Sequence, residues 1–466
     1  MHCFPFRLRH PLLFVVATML IGCSKLLDAT PDGLTTEQVF ADYSTARAAR
    51  DGLYVNIMKA AGPLNGFVSK LQGLSCDELS KTLPSGPDTA FLFNSLKPDD
   101  NTIAAFWSSS YFSIVDANAL MAGLAPSAAV PVAERRQWTA EARFTRALLY
   151  FYLVNLFGDV PLVLSSDYQQ TAYLPRASSA DVYQQIIADL GVAQADLPPD
   201  SVQTPSRWVA TALLARVWLY QQNWAQAELC ASQVIDSGPF RLENDLNQVF
   251  LASSPETILQ FTPLPAANGG ATSNSMEGNY FLPASANSKP SYPLSDSLLS
   301  AFEPGDARKD SWTRTSNAGA LAYPYKYKVL KSTPPFTENN IVLRLAELYL
   351  IRAEARGQLG RTADALSDLN VVRRRARLPD LPASVASDQL TTFILHERQV
   401  ELFTEWGHRW FDLKRLGSAT GDSSQRRLDD VLLSKKGTNW QPYKKLWPIP
   451  LRQLQLNPHL TQNLGY

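Results

Sequence analysis

Two alanines twelve residues apart, each inside an apolar run, set the strongest constraint on what this chain can fold into. In ATALLARVWLYQQNWAQAELCASQVIDSGPF, Ala215 and Ala227 have that spacing, and Pro239 follows twelve residues later. The apolar residues on either side recur at helical intervals, two helical stretches meet around Gln222-Asn223, and Gly238-Pro239 closes the second. A small residue at the matching place on each helix lets the two backbones approach closely. The run from Ile341 to Ala376 repeats the device. Ala353 and Ala365 are again 12 apart, and Gly357 and Gly360 flank the turn.

That spacing is the mark of a tetratricopeptide-like helical hairpin, although Thr211 stands where such a repeat usually carries Trp. A third stretch, Val132–Phe157, presents Phe144, Leu148, Phe151 and Tyr152 on one helix face, and Gly158 and Pro161 end it. Stacked hairpins bury each other's apolar faces. A chain with 45% hydrophobic and 18% charged residues has the material for that. The expected fold is therefore mainly α: a helix-pair scaffold around 35–60, 110–236 and 341–417, a loop-rich face and few short strands.

Two segments break the pattern, 62–110 and 262–340. The second reads FTPLPAANGG, then NYFLPASANSKPSYPLSD, then SWTRTSNAGALAYPYKYK, around a short helical stretch near Leu294–Phe302. So long an irregular stretch inside a compact protein is a functional surface or is disordered. Tyr280, Phe281, Tyr292, Trp312, Tyr323 and Tyr325 argue for order.

At the N-terminus, Arg7 and Arg9 precede an apolar run from Pro11 to Ile21 and then Gly22-Cys23. A basic start, a short apolar core and a small residue before the cut form a secretory signal. The run is about half the ~20 residues that cross a bilayer. Leu20-Ile21-Gly22-Cys23 is similar to the lipobox of bacterial lipoproteins, in which the cysteine is acylated and becomes the first residue. We therefore read residues 1–22 as signal peptide, Cys23 as the lipid anchor and 23–466 as one unit.

Catalytic and nucleic-acid signals are weak. Lys+Arg and Asp+Glu both number 43, so no net field draws the chain to nucleic acid. The sequence has no phosphate-cradling glycine loop, HExxH or GxSxG. His396 and His408 have no cysteine near them, so no metal or other cofactor is expected. Cys230, among Ala227, Leu229 and Ala231, reads as a buried free thiol, and nothing pairs it with Cys76. Glu397, Glu401 and Glu405 are spaced as one helical stripe. We read them as an ion-pair network with Arg398, Arg409, Lys414 and Arg415, with a glycosidase acid/base pair as the remote alternative.

The segment FTEWGHRWFDLKRLG resembles the C-terminal signature of the SusD/RagB family, E-x-x-x-E-G-x-R-x-x-D-L-x-R. The blocks SKLLDATPDG, YFSIVDANALMAGL, AEARFTRALLYFYLVNLFGDVPLV, LRLAELYLIRAEA and LWPIPLRQLQLNPHLTQNLGY agree with it in family order. Trp406 departs from the family's usual Glu before Gly407. The resemblance implies a non-enzymatic, lipid-anchored protein on the surface of a Gram-negative outer membrane. It also implies a partner, a SusC-like TonB-dependent transporter, to which captured glycans are delivered.

Sugar rings stack an apolar C–H face on Tyr or Trp while amides and carboxylates hold their hydroxyls. The candidate ligand residues are Trp312, Tyr280, Tyr292 and Tyr323, with Asn279 or Asp77 as polar partners. Starch-binding members carry aromatics just after the segment matching Ser75-Cys76-Asp77-Glu78. Leu79–Asp88 has none here, and the first are Phe91 and Phe93. A peptide-binding role within the same family and a surface glycoside hydrolase are the competing readings.

Overall fold

The computed structural model describes residue 2 and residues 35–58, 63–199, 204–268, 270–417 and 426–466. The signal segment, Cys23 and SKLLDATPDG lie outside the described residues. The scaffold helices are α1 (Tyr43–Met58), α2 (Phe67–Ser75), α3 (Asn101–Leu124), α4 (Val132–Phe157), α5 (Ser179–Asp196), α6 (Arg207–Tyr220) and α7 (Trp224–Ser237). After the irregular segment with its short α8 (Met276–Phe281) and α9 (Ala307–Trp312) come α10 (Leu345–Gln358), α11 (Thr362–Arg375), α12 (Ser387–Glu401) and α13 (His408–Arg415). The strands used below are β1 (Thr257–Phe261), β2 (Thr313–Thr315), β3 (Ala322–Pro324) and β4 (Asn340–Arg344). Mainly helical, with few short strands, is what the helix-pair spacing predicts.

Helix α1 packs on α3, and from there each scaffold helix packs on the next, α3 on α4, α4 on α5, α5 on α6 and α6 on α7. The stack skips the irregular segment, α7 packing directly on α10, which pairs with α11 and α12. The alanines of the two hairpins, Ala215, Ala227, Ala353 and Ala365, have no exposed surface, as close helix approach requires. Helix α4 is the axis of the core, buried from Trp138 to Phe157 apart from Thr139 and Arg143. The C-terminal block staples its end: the Trp447 N–H donates to Leu156 O at 2.7 Å, and the Asn463 amide donates to Phe157 O. Among the described residues no helix is long and apolar enough to cross a membrane.

Between the two halves of the stack, β1 and β4 pair antiparallel, Thr257 opposite Arg344 and Phe261 opposite Asn340. Residues 262–339 therefore leave and return at one place, as a closed excursion from a buried ladder. The segment 62–110 is less irregular than its Pro and Gly content suggests. It contains buried helix α2 and the first turns of α3, which Asp100 caps by accepting from Thr102 N–H at 2.7 Å. Gly66 starts α2 at φ +66°, and a side chain there would meet the Met276 Cβ at 2.9 Å. Only glycine allows α2 and α8 to come so close.

Candidate functional site

The two irregular segments, far apart in sequence, are zipped into one face. Leu79 and Leu294 form an antiparallel bridge. Ser80 N–H donates to Pro293 O at 2.8 Å, Thr82 N–H to Ser291 O at 3.2 Å, and Ser295 N–H to Glu78 O at 2.9 Å. This main-chain pairing satisfies backbone groups that a loop otherwise leaves to water. It also puts side chains of α2 against those of α8.

At the centre of that contact is Lys70, whose Nζ lies 4.3 Å from the Tyr280 ring centroid and 5.6 Å from that of Tyr292. Asp88 ties the group together, 3.3 Å from Lys70 Nζ and accepting the Tyr292 hydroxyl. Burial lowers the Lys70 ammonium from its ordinary range, and Asp88 partly restores it. Burial pushes the Tyr280 hydroxyl up to about 12. It raises that of Tyr292 too, with Asp88 adding to the shift. Both rings are half-buried, so each packs inward against Lys70 and keeps part of its side chain at the surface. Asn279 is the neighbouring half-buried residue on α8.

The other candidate residues are placed differently. Trp312 has no exposed surface and cannot stack on a sugar. Its Nε1–H donates to Leu246 O at 2.8 Å. Three cations face its ring, Lys326 at 4.8 Å, Arg375 at 5.6 Å and Arg344 at 5.8 Å. It is a core residue, packed on Phe250 and Phe403, and its ring attracts the buried cations beside it. Tyr323 is 4% exposed, packed edge-on against Tyr325 at 6.1 Å in the β2–β3 hairpin. The Asp77 carboxylate is buried and held at both oxygens by Arg409, at 2.8 and 2.7 Å. Beside it, burial and then Asp77 raise the Glu78 carboxyl to about 8.

The network next to Trp312 replaces the ion pairs expected from the carboxylate stripe. Helix α12 ends at Glu401, so Glu405 sits in the following turn and not on the helix. Glu401 accepts from Arg344 at 2.5 Å, from Arg308 at 3.0 Å and from Arg375. Glu405 meets Arg344 and Lys326, and Glu397 meets Arg308 and Arg373. The cations expected nearby pair elsewhere: Arg398 with Asp412, Arg409 with Asp77, Arg415 with Glu354, and Lys414 with the Asn155 carbonyl. Sequence proximity misled because the true partners arrive on β4, α9 and α11. Trp406 is buried, its Nε1–H donating to Ile341 O at 2.7 Å, so it fills the space against β4.

Metal and catalytic groups can be placed on the same map. Glu303, His396 and Glu397 bring ligand atoms within 4.8 Å of one another. Arg373 already binds both carboxylates and Arg308 binds Glu397, which leaves little charge to attract a cation. Cys76 and Cys230 are both buried free thiols. Lys70 and Asp88 escaped the sequence reading because nothing in their local pattern marks them. Their pairing is made by the fold, through the Leu79–Leu294 bridge and the close approach at Gly66.

A stack of helix pairs bearing one loop-built aromatic and polar face is the architecture of a ligand-holding scaffold. Comparison with known proteins says which. The SusD family model matches residues 302–466, and a model described as starch-binding, associating with outer membrane, matches residues 78–219. The chain belongs to the SusD/RagB family, as its sequence blocks imply. It is similar to SusD-like protein P38 of Formosa agariphila, 25% identical over 98% of each chain. It is likewise similar to the starch-binding protein SusD of Bacteroides thetaiotaomicron, 25% identical over 72% of this chain and 74% of that one. Among solved structures, a laminarin-binding SusD-like protein superposes with a TM-score of 0.76 at 25% identity, covering 91% of this chain and all of that one. A SusD superfamily protein from Bacteroides vulgatus shares the fold at a TM-score of 0.79 and 20% identity, over 92% and 100%.

Proposed function

We propose that this protein binds glycans at the face where α2 and α8 meet, and passes them to a TonB-dependent transporter. In this reading it is held at the outer-membrane surface by acyl chains on Cys23, and it performs no catalysis. The observation that carries the reading is the clamp of Tyr280 and Tyr292 about Lys70. It holds two half-buried rings together beside Lys70, and Asp88 and Asn279 stand close to them. Such a site supplies stacking and hydrogen bonds without a titrating step. The names of the relatives, starch-binding and laminarin-binding, support the ligand class. The buried Glu397, Glu401 and Glu405 support a non-catalytic role, since every one is engaged by a cation.

The test is calorimetric titration of the mature protein with laminari- and malto-oligosaccharides, alongside an extended-peptide library. Saturable glycan binding without release of reducing sugar is expected. Binding of peptides alone, or turnover of the glycan, sinks the reading. In cells, Cys23→Ala is expected to abolish acyl labelling and move the protein off the membrane fraction.

A further inference from the structure

A groove of about 310 Å³ opens at the N-terminal end of α8, one helical turn before Tyr280. It is lined by Asn65, Ser273, Asn274 and Asn340, with Met58, Leu264 and Met276 as its apolar part. No charged side chain among the described residues lines it. The volume is at the lower end of ligand-sized cavities and has room for about one or two sugar rings.

Asn340 makes the groove more than a dent. Its side chain is 1% exposed, and its Nδ2–H donates to Leu64 O at 3.1 Å. That bond settles which end of the amide is which. The other end, Oδ1, is buried and has no hydrogen-bond partner. A buried acceptor left unmade is costly, so a donor that reaches it from the groove that Asn340 lines gains a hydrogen bond. Asn274 is held in place from two sides, donating to Thr337 Oγ1 and accepting from Ser332. The polar wall is therefore preorganised. Met58 lies at the end of α1, and Met276, one turn along α8 from Tyr280, joins the groove to the clamp described above.

We propose that this groove is a second glycan subsite, taking an uncharged sugar unit whose hydroxyl or amide N–H donates to Asn340 Oδ1. The proposal rests on the glycan-binding reading and extends it. The neutral lining fits an uncharged ligand, and the methionine and leucine surfaces suit the C–H face of a pyranose ring.

The experiment titrates laminari- and malto-oligosaccharides into the wild-type protein and three variants: Asn340→Leu, Leu264→Arg and Tyr280→Ala/Tyr292→Ala. Leu264 is 37% exposed, so its arginine plugs the groove without entering the core and serves if Asn340→Leu fails to fold. Circular dichroism checks each fold. About a tenfold loss of affinity is expected in the folded groove variants, the scale of one hydrogen bond. If the groove variants bind as wild type while the tyrosine variant loses binding, the groove is overturned and the glycan reading stands. If the wild-type protein binds no glycan, or binds only peptide, both fall together.

Discussion

Replacing Glu401 by glutamine tests whether the buried charge network stabilises the fold. In this network Arg308, Lys326, Arg344, Arg373 and Arg375 meet Glu256, Asp306, Glu397, Glu401 and Glu405, five buried cations against five buried carboxylates. Glu401 has no exposed surface and accepts from three guanidiniums. Gln keeps the shape, removes the charge and turns one oxygen into a donor that faces a guanidinium. Breaking a buried pair from one side costs about 3–5 kcal/mol. The lower half of that range applies here, because each arginine retains a partner: Arg308 keeps Asp306, Arg344 keeps Glu405, and Arg375 keeps Glu256.

The assay is urea unfolding at pH 7, comparing midpoints at constant slope. Asp364→Asn, which breaks the exposed pair with Arg361, is the control and is expected to leave the midpoint unchanged. The network also has a pH signature. Burial alone raises the Glu401 carboxyl, but Arg375, Arg344 and Arg308 outweigh it and hold the group well below its ordinary 4.5. A depressed folded value means that its stabilisation is complete above pH about 4.5 and is lost as pH falls through the lower folded value. Glu401→Gln should therefore unfold more easily at pH 7 yet lose less on acidification. A loss below about 1 kcal/mol would refute the claim that the network stabilises the fold.

Three further outcomes are expected. Gly407 has φ +75°, and an added Cβ lies 3.0 Å from Gln72 Cβ, so Gly407→Ala should lower stability by about 1–3 kcal/mol in the same urea assay. Burial raises Glu78 to about 8 and Glu277 to about 7, so in the folded protein both hold protons that the unfolded chain releases near pH 4.5. Stability should then fall as pH rises from about 4.5 towards 7–8, and Glu78→Gln/Glu277→Gln should flatten that slope. Tyr292→Phe removes the hydroxyl that Asp88 accepts, and a loosened clamp should weaken oligosaccharide affinity roughly fivefold in calorimetry while circular dichroism stays unchanged.

The scaffold was legible because helix pairing is written locally: Ala215/Ala227 and Ala353/Ala365 are fixed by spacing within one hairpin. The candidate site was legible only in part. Tyr280 and Tyr292 carry an aromatic signal in an irregular segment, and the structure brings them together, but the same signal picked out Trp312, which is core. Composition cannot tell an aromatic that faces solvent from one that walls a charge cluster, since both sit in loop-like sequence. Lys70, Asp88 and Asn340 were invisible for a different reason. Lys70 lies 210 residues from Tyr280, and Asn340 meets Leu64 across 276. The charge network failed the same way, its arginines arriving from β4, α9 and α11 while the nearby ones pair elsewhere.

If the Tyr280–Lys70–Tyr292 clamp holds glycan, titration of the Tyr280→Ala/Tyr292→Ala protein will show it. With the fold verified by circular dichroism, affinity for an oligosaccharide that the wild-type protein binds should drop roughly a hundredfold, about 1–1.5 kcal/mol for each stacking ring lost. A folded variant that binds that oligosaccharide as tightly as the wild type would contradict it.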